Sequence, residues 1–306
     1  MGPSGRVNAP DGGWPALPYE DWRETKDTLH MYMQVLGKLR LALSPPEPQW
    51  GHVPLYVTAR GLTTSPIPIG LRAFDAELDL LAHELVIRSS DGRVERRPLG
   101  GDVASFYSDV IGMLQRMGMA VTISLVPSEV SDPIPFPEDR THDTYTAEHV
   151  VRFFRVLSMV DVVMKEHRAK FQGRTTPVQF FWGSFDLAVT RYSGRAVEPP
   201  SDAGVIRRLG GDAEVICAGW WPGDQRLPHP AFFAYGYPAP DGMDRVSVQP
   251  REAAWSPIAG EFLLPYDAAR STSDPRRAIH DFLKSTYEGA AGLMGWGTHR
   301  TRIPPR

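Results

Sequence analysis

From about Tyr19 to Leu43 apolar residues return at helical spacing. Trp22, Leu29, Leu36 and Leu43, with Met33 and Leu39 beside them, form one stripe, and Pro45 and Pro46 stop it. The period then changes to two. Val53, Leu55 and Val57 alternate with His52, Tyr56 and Thr58, and Phe74, Ala76, Leu78 and Leu80 alternate with Asp75, Glu77 and Asp79, which predicts half-buried strands. Leu85 to Arg88 and Val94 to Arg97 flank Ser90, Asp91 and Gly92 as a hairpin. Helical spacing resumes over 103–117 through Val103, Tyr107, Val110, Ile111 and Leu114, and a short strand is expected from Ala120 to Val126.

Between Pro127 and Pro137 four prolines exclude regular structure and mark an internal boundary. Ala147 to Phe171 then reads as a second long helix, apolar around much of its circumference and so expected to be buried. Strands are expected at Val178–Tyr192, Glu214–Trp220, Ala231–Tyr237, Arg245–Val248 and Glu261–Leu264. A last helix opens on Asp274 as its cap and Pro275 at its first position, with Ile279, Phe282, Leu283 and Tyr287 facing inward. The pattern defines an α+β protein of two pseudo-repeated halves, each a long helix followed by mainly antiparallel strands and a further helix. Its expected parts are a flexible arm (1–17), a first half (18–126), a Pro-rich connector (127–146), a second half (147–292) and a tail (293–306).

One segment recurs. Trp50-Gly51-His52-Val53-Pro54-Leu55-Tyr56-Val57-Thr58 aligns without gaps to Trp182-Gly183-Ser184-Phe185-Asp186-Leu187-Ala188-Val189-Thr190, identical at five of nine positions. Two readings are open, an internal duplication and two unrelated strands sharing a turn-strand pattern. Alternation sends Val53, Leu55, Val57, Phe185, Leu187 and Val189 to the core. The opposite faces then carry Trp50, His52, Tyr56, Thr58 and Arg60 in one copy and Trp182, Ser184, Asp186 and Thr190 in the other.

Composition narrows the classes of function. The chain has 306 residues, 42% hydrophobic and 23% charged, as an ordinary globular protein does. A net charge of -3 supplies no global basic field for a phosphate backbone, so general nucleic-acid binding is not expected. Cys217 is the only cysteine, which excludes an intrachain disulfide and a cysteine-rich zinc cage; among Val215, Ile216 and Ala218 it reads as a buried, inert thiol. No stretch has signal-peptide or membrane-span character, so the expectation is a cytoplasmic protein with no membrane partner. Nothing sets the oligomeric state.

If the two polar strand faces oppose each other, they enclose an aromatic-walled pocket with convergent polar groups. His52 is then the first candidate for general acid or base, because its ordinary pKa lies nearest working pH. Asp186 and Glu261 are the candidate carboxylates; Glu261 projects opposite the apolar Phe262 and Leu264. Trp50, Tyr56, Thr58, Arg60, Trp182, Ser184 and Thr190 are candidate ligand contacts, joined by Lys26 and His30 at the edge of the first helix's stripe. Ser184 and Asp186 lie two apart on one strand with no nucleophile elbow around them, so they do not read as part of a triad. The nine histidines include no pair at i,i+2 or i,i+4, and no metal site is assigned, although His30, His52 and Glu261 could assemble from a distance. No phosphate-binding loop or other cofactor motif is present, and the cofactor stays unknown. The aromatic segments Trp220-Trp221 and Phe233, Tyr235, Tyr237 read as core, interface or ligand wall.

The run from Trp182 to Arg191 resembles the most characteristic motif of a bacterial family defined only as a domain of unknown function. Lys26-Asp27-Thr28-Leu29-His30, Arg60-Gly61-Leu62-Thr63-Thr64-Ser65, Asp132-Pro133-Ile134-Pro135-Phe136 and Gly260 to Asp267 are similar to it as well, over roughly residues 14 to 296. The resemblance implies no activity and no catalytic residue. Gln179 stands where the family carries a histidine, which weakens an obligatory metal role there.

The expectation is therefore a small-molecule-binding protein or enzyme with a pocket between the halves. The alternative is a non-catalytic interaction or self-associating module. A pocket should enclose His52 and Asp186 together; an interaction surface should expose a contiguous apolar patch from Trp220 to Tyr237.

Overall fold

The computed structural model describes residues 13–297. The expected arm over 1–17 falls mostly outside them, but its described end is docked rather than free: Leu17 is buried, and Tyr266 donates its hydroxyl hydrogen to the carbonyl of Pro15 at 2.8 Å. Of the expected tail, residues beyond 297 lie outside the described chain, while Met294 and Trp296 are buried and the Trp296 indole N–H donates to Glu214 at 2.7 Å.

Helix α1 (Tyr19–Leu43) is buried around nearly its whole girth between residues 25 and 40, beyond the single stripe its apolar residues predict. Three surfaces cover it. Tyr32 stacks on Phe106 at 4.0 Å, Trp22 on Phe153 at 5.0 Å, and the ring of Trp182 lies on Gly37, where any Cβ would collide with it. Its polar row, Lys26, His30, Gln34 and Lys38 at successive i,i+4 positions, meets the loop at Ser128 and the turn at Trp182 instead of water. Gln34 bonds the backbone of Ser128 through both ends of its amide, at 2.8 and 2.9 Å, and Lys38 donates to the Ser128 hydroxyl at 2.7 Å.

The first sheet comprises β1 (Tyr56–Val57), β2 (Gly61–Thr63), β3 (Ile67–Ile69), β4 (Arg72–Asp79), β5 (Glu84–Ser89) and β6 (Val94–Pro98). All pairs are antiparallel, in the order β1-β2-β4-β5-β6 with β3 also on β4. Phe74, Ala76 and Leu78 of β4 face the core. On its outer face Asp75 and Glu77 both accept from Arg88, at 2.9 and 2.7 Å, and Arg60 pairs with Asp79. Helix α2 (Val103–Arg116) follows, capped by Asp102, whose side chain accepts from the Ser105 N–H. The expected strand over 120–126 is not formed: Leu125 and Val126 are exposed, and among the described residues the one backbone bond made there runs from the Phe136 N–H to the Leu125 carbonyl, which is no ladder.

Helix α3 (Ala147–Ala169) leads into the second sheet, made by β7 (Gln179–Phe181), β8 (Asp186–Ala196), β9 (Ala213–Trp221), β10 (Ala231–Tyr237), β11 (Ala254–Ser256) and β12 (Glu261–Pro265) in the antiparallel order β11-β12-β10-β9-β8-β7. A short helix α4 (Val205–Gly210) lies between β8 and β9, and α5 (Tyr266–Arg270) and α6 (Pro275–Leu293) close the fold. The expected single strand 178–192 is a hairpin broken at Trp182–Phe185, where Phe185 takes a left-handed φ of 60° and buries its ring against Phe153 and Phe180 at 5.5 and 5.2 Å. The expected strand 245–248 is a 3-10 turn (Met243–Arg245) followed by coil, because Val246 fills the space left by the missing side chain of Gly289 on α6.

One face of the second sheet carries the row Leu187, Trp220, Phe232 and Leu264, all fully buried beneath α3 and α6. The two sheets are stitched together: Leu55 and Phe180 exchange both backbone hydrogen bonds at 2.9 Å, and one continuous hydrophobic cluster runs from Leu17 to Trp296. The two similar nine-residue segments take different local structures. Trp50 ends a 3-10 turn before a two-residue strand, whereas Trp182 opens the β7–β8 turn.

Candidate functional site

The other face of the second sheet is not packed. It forms the floor of a cleft of about 1060 Å³ whose walls come from the N-terminal half of α1, the loop at residues 129–132, the turn around Trp50, and α4. Strand alternation explains the floor. Residues 186, 188, 190 and 192 of β8 point one way, and register sets Thr190 beside Cys217 and Cys217 beside Tyr235. In the next row along, Ala188 and Gly219 are small, and the ring of Phe233 leans over Gly219. Thr190 and Tyr235 both hydrogen-bond the Cys217 thiol.

Two acids meet this floor. Asp186, 9% exposed, begins β8 and accepts a hydrogen bond from the Ser184 hydroxyl; burial pushes its carboxyl up to about 7, with the charge of Glu129 adding to the shift. Glu261 begins β12, and burial pushes it to about 7 as well, with the Asp186 charge adding. Glu129, whose carboxyl lies against Gly183 at the mouth, is also raised by partial desolvation. Burial raises the Cys217 thiol to about 11, which keeps it protonated and makes it a hydrogen-bonding floor residue rather than a nucleophile.

Lys26 and His30 reach the cleft from α1. The Lys26 ammonium pairs with Asp27 at 2.8 Å and lies 5.6 Å from the ring centre of Tyr19 and 5.7 Å from that of Phe185. His30 is held at about 4 by burial and by the Lys26 charge, so it is neutral; its Nε2–H faces the carbonyl oxygens of Trp182 and Gly183 at 2.9 and 3.1 Å. Trp50 forms part of the rim and donates its indole N–H to the Ile206 carbonyl of α4 at 2.9 Å.

Of the sequence candidates, the cleft thus gathers Asp186, Glu261, Ser184, Thr190, Lys26, His30 and Trp50. It does not gather His52, Tyr56, Thr58, Arg60 or Trp182. Residues 50–55 are not a strand, so the alternation extended through them fails. His52 is 6% exposed, stacks on Trp50 and accepts the Glu47 N–H at Nδ1 (3.1 Å), with burial lowering its pKa; it braces a turn. The Arg40 guanidinium lies 5.7 Å from the Tyr56 ring centre, Thr58 donates to Glu77 at 2.8 Å and Arg60 pairs with Asp79, all on the first half. Trp182 is buried and donates its indole N–H to Val53. The distant set His30, His52 and Glu261 is not assembled, and no group of three or more His, Cys, Asp or Glu side chains among the described residues is disposed to hold a metal ion. Nor is the stretch from Trp220 to Tyr237 an open apolar patch: Trp220 and Phe232 are fully buried, and Trp221, Phe233, Tyr235 and Tyr237 turn into the cleft.

The sequence pattern missed one pair. His142 lines the cleft, and its Nδ1 bonds the fully buried Asp139 carboxylate at 2.7 Å, which raises the imidazole pKa; the same carboxylate accepts the N–H groups of Thr141 and His142 at 3.1 Å. The only signal was the Asp-x-x-His spacing inside an irregular connector.

Fold and cleft together define a mixed α+β protein whose second antiparallel sheet offers a half-open acidic and aromatic floor. The chain belongs to a family of unknown function, DUF5996, which matches residues 14–303. No curated protein and no solved structure matches it. No helix among the described residues is long and apolar enough to cross a membrane.

Proposed function

We propose that the protein binds a small organic molecule in this cleft and acts on it by proton transfer, with Asp186 and Glu261 as the acid–base pair. The observation that carries this reading is the coincidence of two carboxyl groups raised to about 7 with a cavity of about 1060 Å³ walled by aromatic rings. A carboxyl with its pKa near working pH can both give and take a proton, and structures that need acids only for solubility do not bury them. The neutral His30 and the Asp139-oriented His142 add polar contacts on the facing wall. Native mass spectrometry of the protein as purified, followed by release and identification of any retained small molecule, tests the reading. A retained compound that D186N still binds but no longer converts would support it. A cleft that retains nothing and takes up no member of a fragment library would overturn it.

A further inference from the structure

The two sheets treat their acids in opposite ways. On the outer face of the first, Asp75 and Glu77 share Arg88, and Asp79 has Arg60. On the cleft floor of the second, Asp186 and Glu261 have no Lys or Arg in an ion pair with them among the described residues. The cations of the cleft are engaged elsewhere: Lys26 with Asp27, Arg226 with Asp224 at 2.8 Å, and Arg207 5.6 Å from the Tyr237 ring centre. Beside the uncompensated acids lie aromatic rings with no cation of the described chain upon them. Phe233 and Tyr235 stack at 6.4 Å with planes 12° apart, and Trp221 completes that wall. Ring faces attract positive charge, and a carboxylate taken out of water without a counter-charge is costly. Acids without a cationic side chain, set beside open ring faces, suit a positive charge on an apolar body.

We infer that the cleft takes an organic cation, an amine or quaternary ammonium, with Asp186 and Glu261 as its counter-charges and Trp221, Phe233 and Tyr235 as its walls. This rests on the reading of the cleft as a small-molecule site. A bare metal ion is not the match, since no three-ligand set is formed among the described residues. An anion would meet the carboxylates of Asp27, Glu129, Asp132, Asp186, Asp224 and Glu261 against Lys26, Arg207 and Arg226, of which Lys26 and Arg226 are already paired with Asp27 and Asp224. The groups facing Asp186 are Ser184, Glu129, Cys217 and Tyr235, and those facing Glu261 are Asp186, Cys217 and Tyr235; none is a base that could supply the missing charge. A bound cation favours the ionised carboxylates, so binding releases protons and tightens as pH rises.

Isothermal titration of the full chain with benzyltrimethylammonium, benzyl alcohol and benzoate tests this. The cation is expected to bind at least about tenfold tighter than either other probe, and about tenfold tighter at about pH 8 than at about pH 6, following the fraction of ionised carboxylate. E261Q, at a half-buried position, and D186N should each weaken the cation and flatten its pH dependence, with circular dichroism confirming that each variant is folded. If benzyl alcohol or benzoate binds as tightly as the cation, or cation binding weakens with rising pH, the inference falls while the small-molecule reading stands. Binding of none of the three overturns the inference, and retained-ligand mass spectrometry then decides the broader reading alone.

Discussion

Trp182 donates its indole N–H to the carbonyl of Val53 at 2.9 Å while its ring lies flat against Gly37 of α1. One side chain of the second half therefore pins two elements of the first. A methyl group at residue 37 would enter the ring, and overpacking of this kind costs about 1–3 kcal/mol. G37A is expected to lower the urea midpoint accordingly, and W182F to lose the Val53 bond while keeping most of the packing. A G37A midpoint equal to wild type would show that Trp182 is free to shift.

Asp186 gives the protein a pH dependence of known sign. Its carboxyl is raised to about 7 in the folded chain from 3.8, so the folded state keeps a proton that the unfolded chain has already released. The stabilisation is full below the unfolded value and is lost as pH climbs from about 4 towards 7, by roughly 2–4 kcal/mol for this one group. D186N removes that slope, so the Asn variant should gain on wild type between about pH 5 and about pH 8 in equilibrium urea unfolding. Parallel profiles would contradict the placement of Asp186.

The cleft histidines should titrate apart. His142, held by Asp139, is expected to titrate above 6.5 in proton-detected NMR, and His30 near 4. D139N should bring the His142 transition down and leave that of His30 where it is. A shared midpoint for the two rings would contradict the contacts described for both.

Trp50 fastens α4 through a single indole bond to Ile206, and its ring sits against Gly210. W50F should speed amide exchange through residues 205–211 while changing global stability by less than about 1 kcal/mol. Unchanged exchange there would mean that α4 is held by other contacts.

Much of this architecture was legible because periodicity and capping agree. Ala231–Tyr237 forms a strand with the bounds its alternation predicts, and Asp274 caps α6 by accepting the Arg277 N–H at 2.9 Å. What failed did so for tertiary reasons. Val246 alternates like a strand residue but is spent filling the gap at Gly289, and the edge of the first helix's stripe at Lys26 and His30 is covered by the β7–β8 turn. In the site, Asp186, Thr190 and Glu261 were readable because they begin or continue real strands, whereas Ser184 sits in the β7–β8 turn and reaches the site by donating to Asp186. His52 was not, since the same alternation was carried into a turn. Asp139 and His142 belong to an irregular segment, and such a segment has no period from which a facing direction can be read.

The exchange of backbone bonds between Leu55 and Phe180 also bears on how a molecule could get in. A two-lobed protein usually admits its guest by hinging the lobes apart, but here that motion would break the paired backbone bonds of Leu55 and Phe180 across the seam and split a shared core. The rim of the cleft, by contrast, is made up of small pieces, among them α4 and the turn at Asp224–Arg226. For the same reason, a protease cut within residues 127–146 should leave a nicked pair that stays together, since either fragment alone would present a raw sheet edge to its neighbours.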